Sequence, residues 1–196
     1  TEALQDSNER MLGFINALPD VVVIKDGENR WQTANQAAIS LLQLEHIDWQ
    51  GKTNAELADI HPGYANFHHA ALSTDGAAWI RGDLTLSIEN LAADEGQTRV
   101  SEVRKMPIFY PDGRPKALMV IARDISEQKK LAEKLQRSEE SLAEAQRMAH
   151  LGSWYVDLTN NAMEWSDELY RILGVQRNAT PFDGRGFLEI VHPLDK

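Results

Sequence analysis

The chain has 196 residues, with 20 lysines and arginines against 30 aspartates and glutamates, and so carries a formal charge of −10 at neutral pH. A surface that acidic repels phosphate backbones and anionic lipid, so neither nucleic acid nor a membrane is an expected partner of this segment. The composition, 42% apolar and 26% charged, is that of a globular protein, and the lack of cysteine removes disulfides, thiolate metal sites and cysteine nucleophiles together.

Residues 1–17 read as the end of a helix, with Leu4, Met11 and Leu18 at heptad spacing. Val21 to Lys25 is a β-branched run followed by the hairpin signal Asp26-Gly27, and Arg30 to Ala34 forms a short second strand. Asn35 is placed as the N-cap of a short helix carrying Ala38, Leu41 and Leu42. A further helix is expected from Thr53 to Ile60 and a longer one from Gly63 to Ala78. Three strands follow, at 83–92, 98–110 and 116–124, the last entered through the turn Tyr110-Pro111-Asp112-Gly113. Two short strands, a cluster of helices and three long antiparallel strands predict an α+β domain over 18–125, with helices on one face of a five-stranded sheet.

From Ser126 the pattern changes. No proline or glycine occurs between Lys116 and Leu151, and Gln128, Leu131, Leu135, Ser138, Leu142, Ala145 and Ala149 alternate steps of three and four. A narrow apolar stripe on an otherwise charged helix of roughly six turns predicts a connecting helix over 126–149 that pairs with a copy of itself through Leu131, Leu135 and Leu142. Beyond it, 150–196 repeats the beginning of the first domain at an offset of 131. Asp26 falls on Asp157, Asn29 on Asn160, Leu42 on Leu173, Leu57 on Leu188 and His61-Pro62 on His192-Pro193. Ser166 takes the N-cap place of Asn35, and nothing corresponds to 66–125. The repeat therefore predicts the first part of a second, incomplete domain, unable to cover Trp154, Trp165, Leu169 and Ile172 by itself.

This arrangement resembles the PAS sensor family. The resemblance is carried by Asn35 after the second strand, the stretch Asp75 to Gly82, the turn Pro111-Asp112-Gly113, and Ala122-Arg123-Asp124-Ile125-Ser126, which is similar to the family's Asp-Ile-Thr motif with serine for threonine. In the second copy Gly152-Ser153-Trp154, Trp165 to Tyr170 and His192-Pro193-Leu194-Asp195 are PAS-like. The resemblance implies a small-molecule pocket between sheet and helices, a homodimer, and a signal passed through the following helix to an effector in the same polypeptide. That effector is expected to be a GGDEF or EAL cyclic-di-nucleotide enzyme or a histidine kinase of a bacterial signalling protein, with Asp124, Ile125 and Ser126 as the relay. A module that only dimerises and binds nothing is the alternative.

The residues limit the ligand. Without cysteine there is no flavin-cysteinyl adduct and no thioester-linked chromophore. Haem would draw its axial ligand from His61, His68 or His69, of which the adjacent pair point to different helix faces. His61 and His68, read as one helix, would lie about 10 Å apart, too far to share a metal ion, and no metal site is expected. Trp31, His68, Trp79, Arg104, Tyr110 and Met119 are the candidate pocket residues, for a cofactor left unidentified. There is no nucleophile elbow or Walker loop, Gly184-x-Gly186 lacks a preceding strand, and His150 reads as a helix terminus before Gly152, so no catalytic residue is expected. No apolar run reaches the roughly 20 residues of a spanning helix and no signal peptide opens the chain, so a cytoplasmic location is expected, where the sequon at Asn178 would be inert.

Overall fold

Strands form where β-branched residues alternate, and the sheet is built from five of them. The computed structural model of the chain describes residues 2–92, 98–160, 162–176 and 194. Helix α1 (Glu2–Asn16) precedes β1 (Val21–Asp26) and β2 (Trp31–Ala34). Helices α2 (Gln36–Leu41), α3 (Asn54–Ile60) and α4 (Ala65–Arg81) follow, with a short 3₁₀ turn at Pro62–Tyr64 before α4. Strands β3 (Thr85–Ala92), β4 (Thr98–Phe109) and β5 (Pro115–Asp124) complete the sheet. The strand order is β2-β1-β5-β4-β3 with every neighbour antiparallel, so the first and last strands meet at the centre of the sheet, Val23 opposite Val120.

The turns differ in detail from their sequence signals. Asp26-Gly27 does not make a two-residue hairpin. The Asp26 carboxylate accepts from the backbone N–H of Glu28 and Arg30, both at 2.9 Å, and Asn29 takes the left-handed conformation with φ 61. Gly27 is required by proximity, because a Cβ there would stand 2.3 Å from the Pro115 carbonyl oxygen. Helix α4 runs three residues past the expected Ala78 and stops at Gly82, whose φ of 76 supplies the left-handed C-cap.

Helix starts follow their caps. Thr53 and Glu56 form a complete capping box at α3. Asn35 caps α2 through its Oδ1, 3.0 Å from the Ala38 N–H, and the same oxygen accepts from Val22 N–H at 2.9 Å. Its Nδ2 donates to the Ile15 and Asp20 carbonyls, at 3.0 and 2.9 Å. One fully buried side chain thus ties the end of α1 and the entry of β1 to α2. The core packs beside it, with Val23, Trp31, Leu42, Leu44, Leu57 and Tyr64 buried between helices and sheet.

Helix α5 (Ser126–Ala149) follows β5 after a single residue and has no buried residue. The chain divides into two units, residues 1–129 and 130–196. In the second, β6 (Trp154–Asp157) pairs antiparallel with β7 (Ala162–Trp165), and α6 (Asp167–Leu173) follows from an N-cap at Ser166. Shifted back by 131, these fall on the positions of β1, β2 and α2, with Ser166 at the place of the Asn35 N-cap. His192-Pro193 lies outside the described residues. No helix among the described residues is long and apolar enough to cross a membrane.

Replacing Asn35 with alanine strands two buried N–H groups and two carbonyls, and is expected to cost about 3 kcal/mol of stability. Urea denaturation of Asn35→Ala against the parent chain measures it, and a loss no larger than that of a surface substitution would contradict this role.

Candidate functional site

Period-two alternation brings charge into the core. On β1 it turns Val21, Val23 and Lys25 to the helix side, and on β4 Ser101, Val103 and Lys105. The inward stripe of α4 is His68, Ala71, Asp75 and Ala78, all buried and at helical spacing. These three elements converge on Asp75, which is 1% exposed. Lys25 Nζ lies 2.5 Å from Asp75 Oδ2 and Lys105 Nζ 2.8 Å from Oδ1. Lys105 also bonds the Thr74 hydroxyl and stands 3.9 Å from Glu89 on β3. The Lys25 ammonium sits 5.4 Å from the centre of the Trp31 ring. Burial lowers the Lys25 pKa, an effect that Asp75 opposes and Lys105 adds to.

A neutral network continues from the cluster. Trp31 Nε1 donates to Asn54 Oδ1 at 3.0 Å and Asn54 Nδ2 donates to Asp75 Oδ2 at 3.0 Å, which fixes the orientation of the amide. His68 Nδ1, 3.3 Å from Asn54 Oδ1, must then carry the ring proton, leaving Nε2 as a bare acceptor. His68 Nε2 and His61 Nδ1 are buried without a hydrogen-bond partner among the described residues. Burial first, then the charges of His61, Lys25 and His69, lower His68 to about 4, and burial lowers His61. The two rings are 6.0 Å apart rather than two helical turns, because His61 ends α3 and His68 lies in α4 beyond the Pro62–Tyr64 turn. His69 is exposed. Among the described residues no three metal-ligating side chains gather.

The interior cavity between sheet and helices is about 30 Å³, lined by Lys25, Asp75, Lys105 and Glu89 at one end and by Trp31, Leu42, Phe67 and Val120 among its apolar residues. That is room for one or two waters, and a haem or flavin would have to displace core side chains to enter. Of the residues expected to line a pocket, Trp31 does and His68 adjoins it through Asn54. Trp79 instead packs edge-on against Phe109 and donates to Asn29 Oδ1 at 2.8 Å. Arg104 is exposed and pairs with Glu102, Tyr110 stacks with Arg114 and Lys116, and Met119 lies on the outer side of the sheet beside Met106. The charged floor was missed because lysine and aspartate read as surface residues. Its signal is the parity of Val21, Val23, Lys25 and of Val103, Lys105.

A second constellation lies where β5 becomes α5. Asp124 Oδ1 accepts from the Ser126 N–H at 2.8 Å, and the Ser126 hydroxyl accepts from the Val100 N–H of β4 at 2.8 Å. Ile125 N–H donates to the Val100 carbonyl at 2.9 Å, and Arg99 reaches Asp124 Oδ2 at 3.3 Å. Partial burial acts to raise the Asp124 carboxyl, but the Ser126 bonds and Arg99 outweigh it and hold the group below its usual value. Arg123 grips Asp20 at the entry to β1 with contacts of 2.9 to 3.2 Å. The residues that the sequence marks as a relay are thus stitched to β4, and their neighbour Arg123 to the start of β1.

Asp75→Asn leaves the buried Lys25 ammonium without a counter-charge and Lys105 with only the more distant Glu89, and is expected to cost about 3 to 5 kcal/mol, whereas the triple replacement Lys25→Met, Lys105→Met, Asp75→Leu should be close to neutral. Denaturation of the two variants checks the pair, and equal losses would contradict the cluster's role. His68 predicts a pH dependence. Its folded pKa near 4 lies below the ordinary 6.5, so the unfolded chain binds the extra proton and stability falls as pH drops through 6.5 toward 4. The loss is on the order of 2 to 3 kcal/mol, and it should shrink in His68→Gln measured by denaturation at pH 7 and 4.5.

A family model for the PAS fold matches residues 15–130. Among solved structures, the phage VqmA–DPO complex matches with a TM-score of 0.51 and 21% identity over 70% of this chain and 60% of that one. The PAS domain of Bordetella pertussis BvgS matches with 0.49 and 22% over 69% and 98%. An RNA-binding light-oxygen-voltage receptor matches with 0.50 and 16% over 73% and 38%. No curated protein matches the chain. This chain spans half to three fifths of the length of the VqmA chains it resembles. The sheet order, the helices on its inner side and the matched segment together establish that the chain belongs to the PAS family.

Proposed function

We propose that this chain is the sensory and regulatory module of a bacterial multidomain signalling protein, in which a small-molecule signal alters the sheet and the change leaves through α5. The observation that carries the reading is the junction. Asp124 and Ser126 connect the last strand, its neighbour β4 and the first turn of α5 by side-chain bonds, so a shift between β4 and β5 must move the helix start. Along α5, Leu131, Leu135 and Leu142 are each about three-fifths exposed, an apolar stripe that two copies would bury against each other. A small rotation of paired helices is a standard output of such devices. The effector belongs to the same polypeptide, and family habit favours a GGDEF or EAL enzyme or a histidine kinase. Two of the similar structures are of proteins described as DNA-binding or RNA-binding, so the acidity of this segment does not exclude a nucleic-acid-binding output elsewhere.

The second reading is a module that dimerises without a ligand. The specific observation in its favour is the interior, where a cavity of about 30 Å³ leaves no space for a metabolite.

In the full-length protein, Asp124→Ala should leave the fold intact and disconnect effector output from the signal. Output regulated as in the parent would defeat the relay. Leu135→Glu with Leu142→Glu should dissociate a dimer held by α5, read by sedimentation.

A further inference from the structure

The interior is nearly filled, but the domain has a cavity of ligand size elsewhere. About 300 Å³ opens between α2 and the ends of β1, β4 and β5, ten times the interior volume. Its apolar wall includes Val21, Leu41 and Ala122, and its polar wall is Ser40, Arg99, Ser101 and Asp124. Volumes of this order begin the range in which small-molecule sites are found, and an apolar body with a few convergent polar groups is their usual lining.

The polar wall has a sign. Ser101 is 2% exposed and lines the cavity beside Arg99. Arg99 uses one of its five N–H donors, on Asp124 Oδ2. Asp124 already accepts from both the Ser126 N–H and Arg99. Four N–H donors of Arg99 therefore remain open to the cavity, which suits an anion rather than an ammonium group. The planar guanidinium fork matches a carboxylate in two parallel bonds. We propose that this cavity is a binding site for a small carboxylic acid with an apolar body, its carboxylate on Arg99 and Ser101 and its body against Val21, Leu41 and Ala122.

Such a ligand competes with Asp124 for Arg99, at the contact that joins β4 to the head of α5. Occupancy would loosen that contact without entering the core. Only this consequence rests on the relay described above; the binding stands apart from it.

Titration of the chain with phenylacetate, followed in ¹H–¹⁵N spectra, tests the site. Saturable shifts of the Ser101, Asp124 and Ser126 amides are expected, with a dissociation constant in about the millimolar range for a fragment of this size. The isosteric phenylacetamide and the cationic phenethylamine should bind at least about tenfold more weakly. Arg99→Gln should lose at least about tenfold, and Ser101→Ala, which leaves the Arg99 pair in place, several-fold. Equal binding of phenylacetamide, shifts centred on Trp31 and Lys25, or no saturable shift up to about 10 mM would each overturn the proposal. Binding as expected in a protein whose output ignores Asp124→Ala would keep the site and remove the relay.

Discussion

Asp75 is the group on which the domain's architecture depends. Among the described residues it is the only carboxylate within hydrogen-bond distance of the two lysines, and it holds β1, β4 and α4 to one another from inside the core. Withdrawing three charges from water costs several kcal/mol per ion before any attraction is counted, and apolar residues of the same size would generally do as well. What an apolar trio could not supply is direction. A carboxylate with one lysine on each oxygen accepts a single placement of α4 over the sheet, and Asn54, bonded to the same carboxylate, extends the constraint to α3 and the Trp31 ring. Specificity of helix placement is the physical reading of this cluster, and the small interior is its consequence. Side chains that must meet at 2.5 to 3.0 Å leave little space between them.

Most of the backbone is legible in the sequence because its signals are local. Asn35, Thr53 and Ser166 each cap the helix that follows them, and α5 occupies the expected 126–149. An offset of 131 carries the places of β1, β2 and α2 onto those of β6, β7 and α6, with Ser166 capping α6 where Asn35 caps α2. Side-chain direction is less legible. Arg104 and Met119 were expected inside, while their neighbours Lys105 and Val120 are the inward residues. A strand's faces exchange with a shift of one residue, so each is an error of parity, one on β5 and one on β4. The latter arises because β4 carries apolar residues on both sides, Val103 inward and Met106 outward, which blurs the alternation. The histidine pair escaped for another reason. A 3₁₀ turn at Pro62 folds His61 back over His68, and helical spacing counted through a proline has no meaning.

The interior and the junction differ in how firmly they are held. Inside, ion pairs and hydrogen bonds are buried, mutually dependent and costly to break. At the junction, Arg99 and Asp124 are 49% and 42% exposed, and a pair in that setting contributes roughly 0 to 1 kcal/mol. The difference decides where a signal can enter cheaply. A ligand acting through the core must first offset the loss of a buried ion pair, several kcal/mol of its binding energy. One acting at the strand-to-helix junction competes with a contact worth about one. Shifting a two-state equilibrium from 1:99 to 99:1 takes about 5.5 kcal/mol of differential binding, within reach of a small molecule only if little is lost elsewhere. A stiff core beneath a helix start held to β4 by two hydrogen bonds to Val100 and one exposed ion pair is an arrangement in which modest binding energy would act on α5 while the sheet that positions it stays intact.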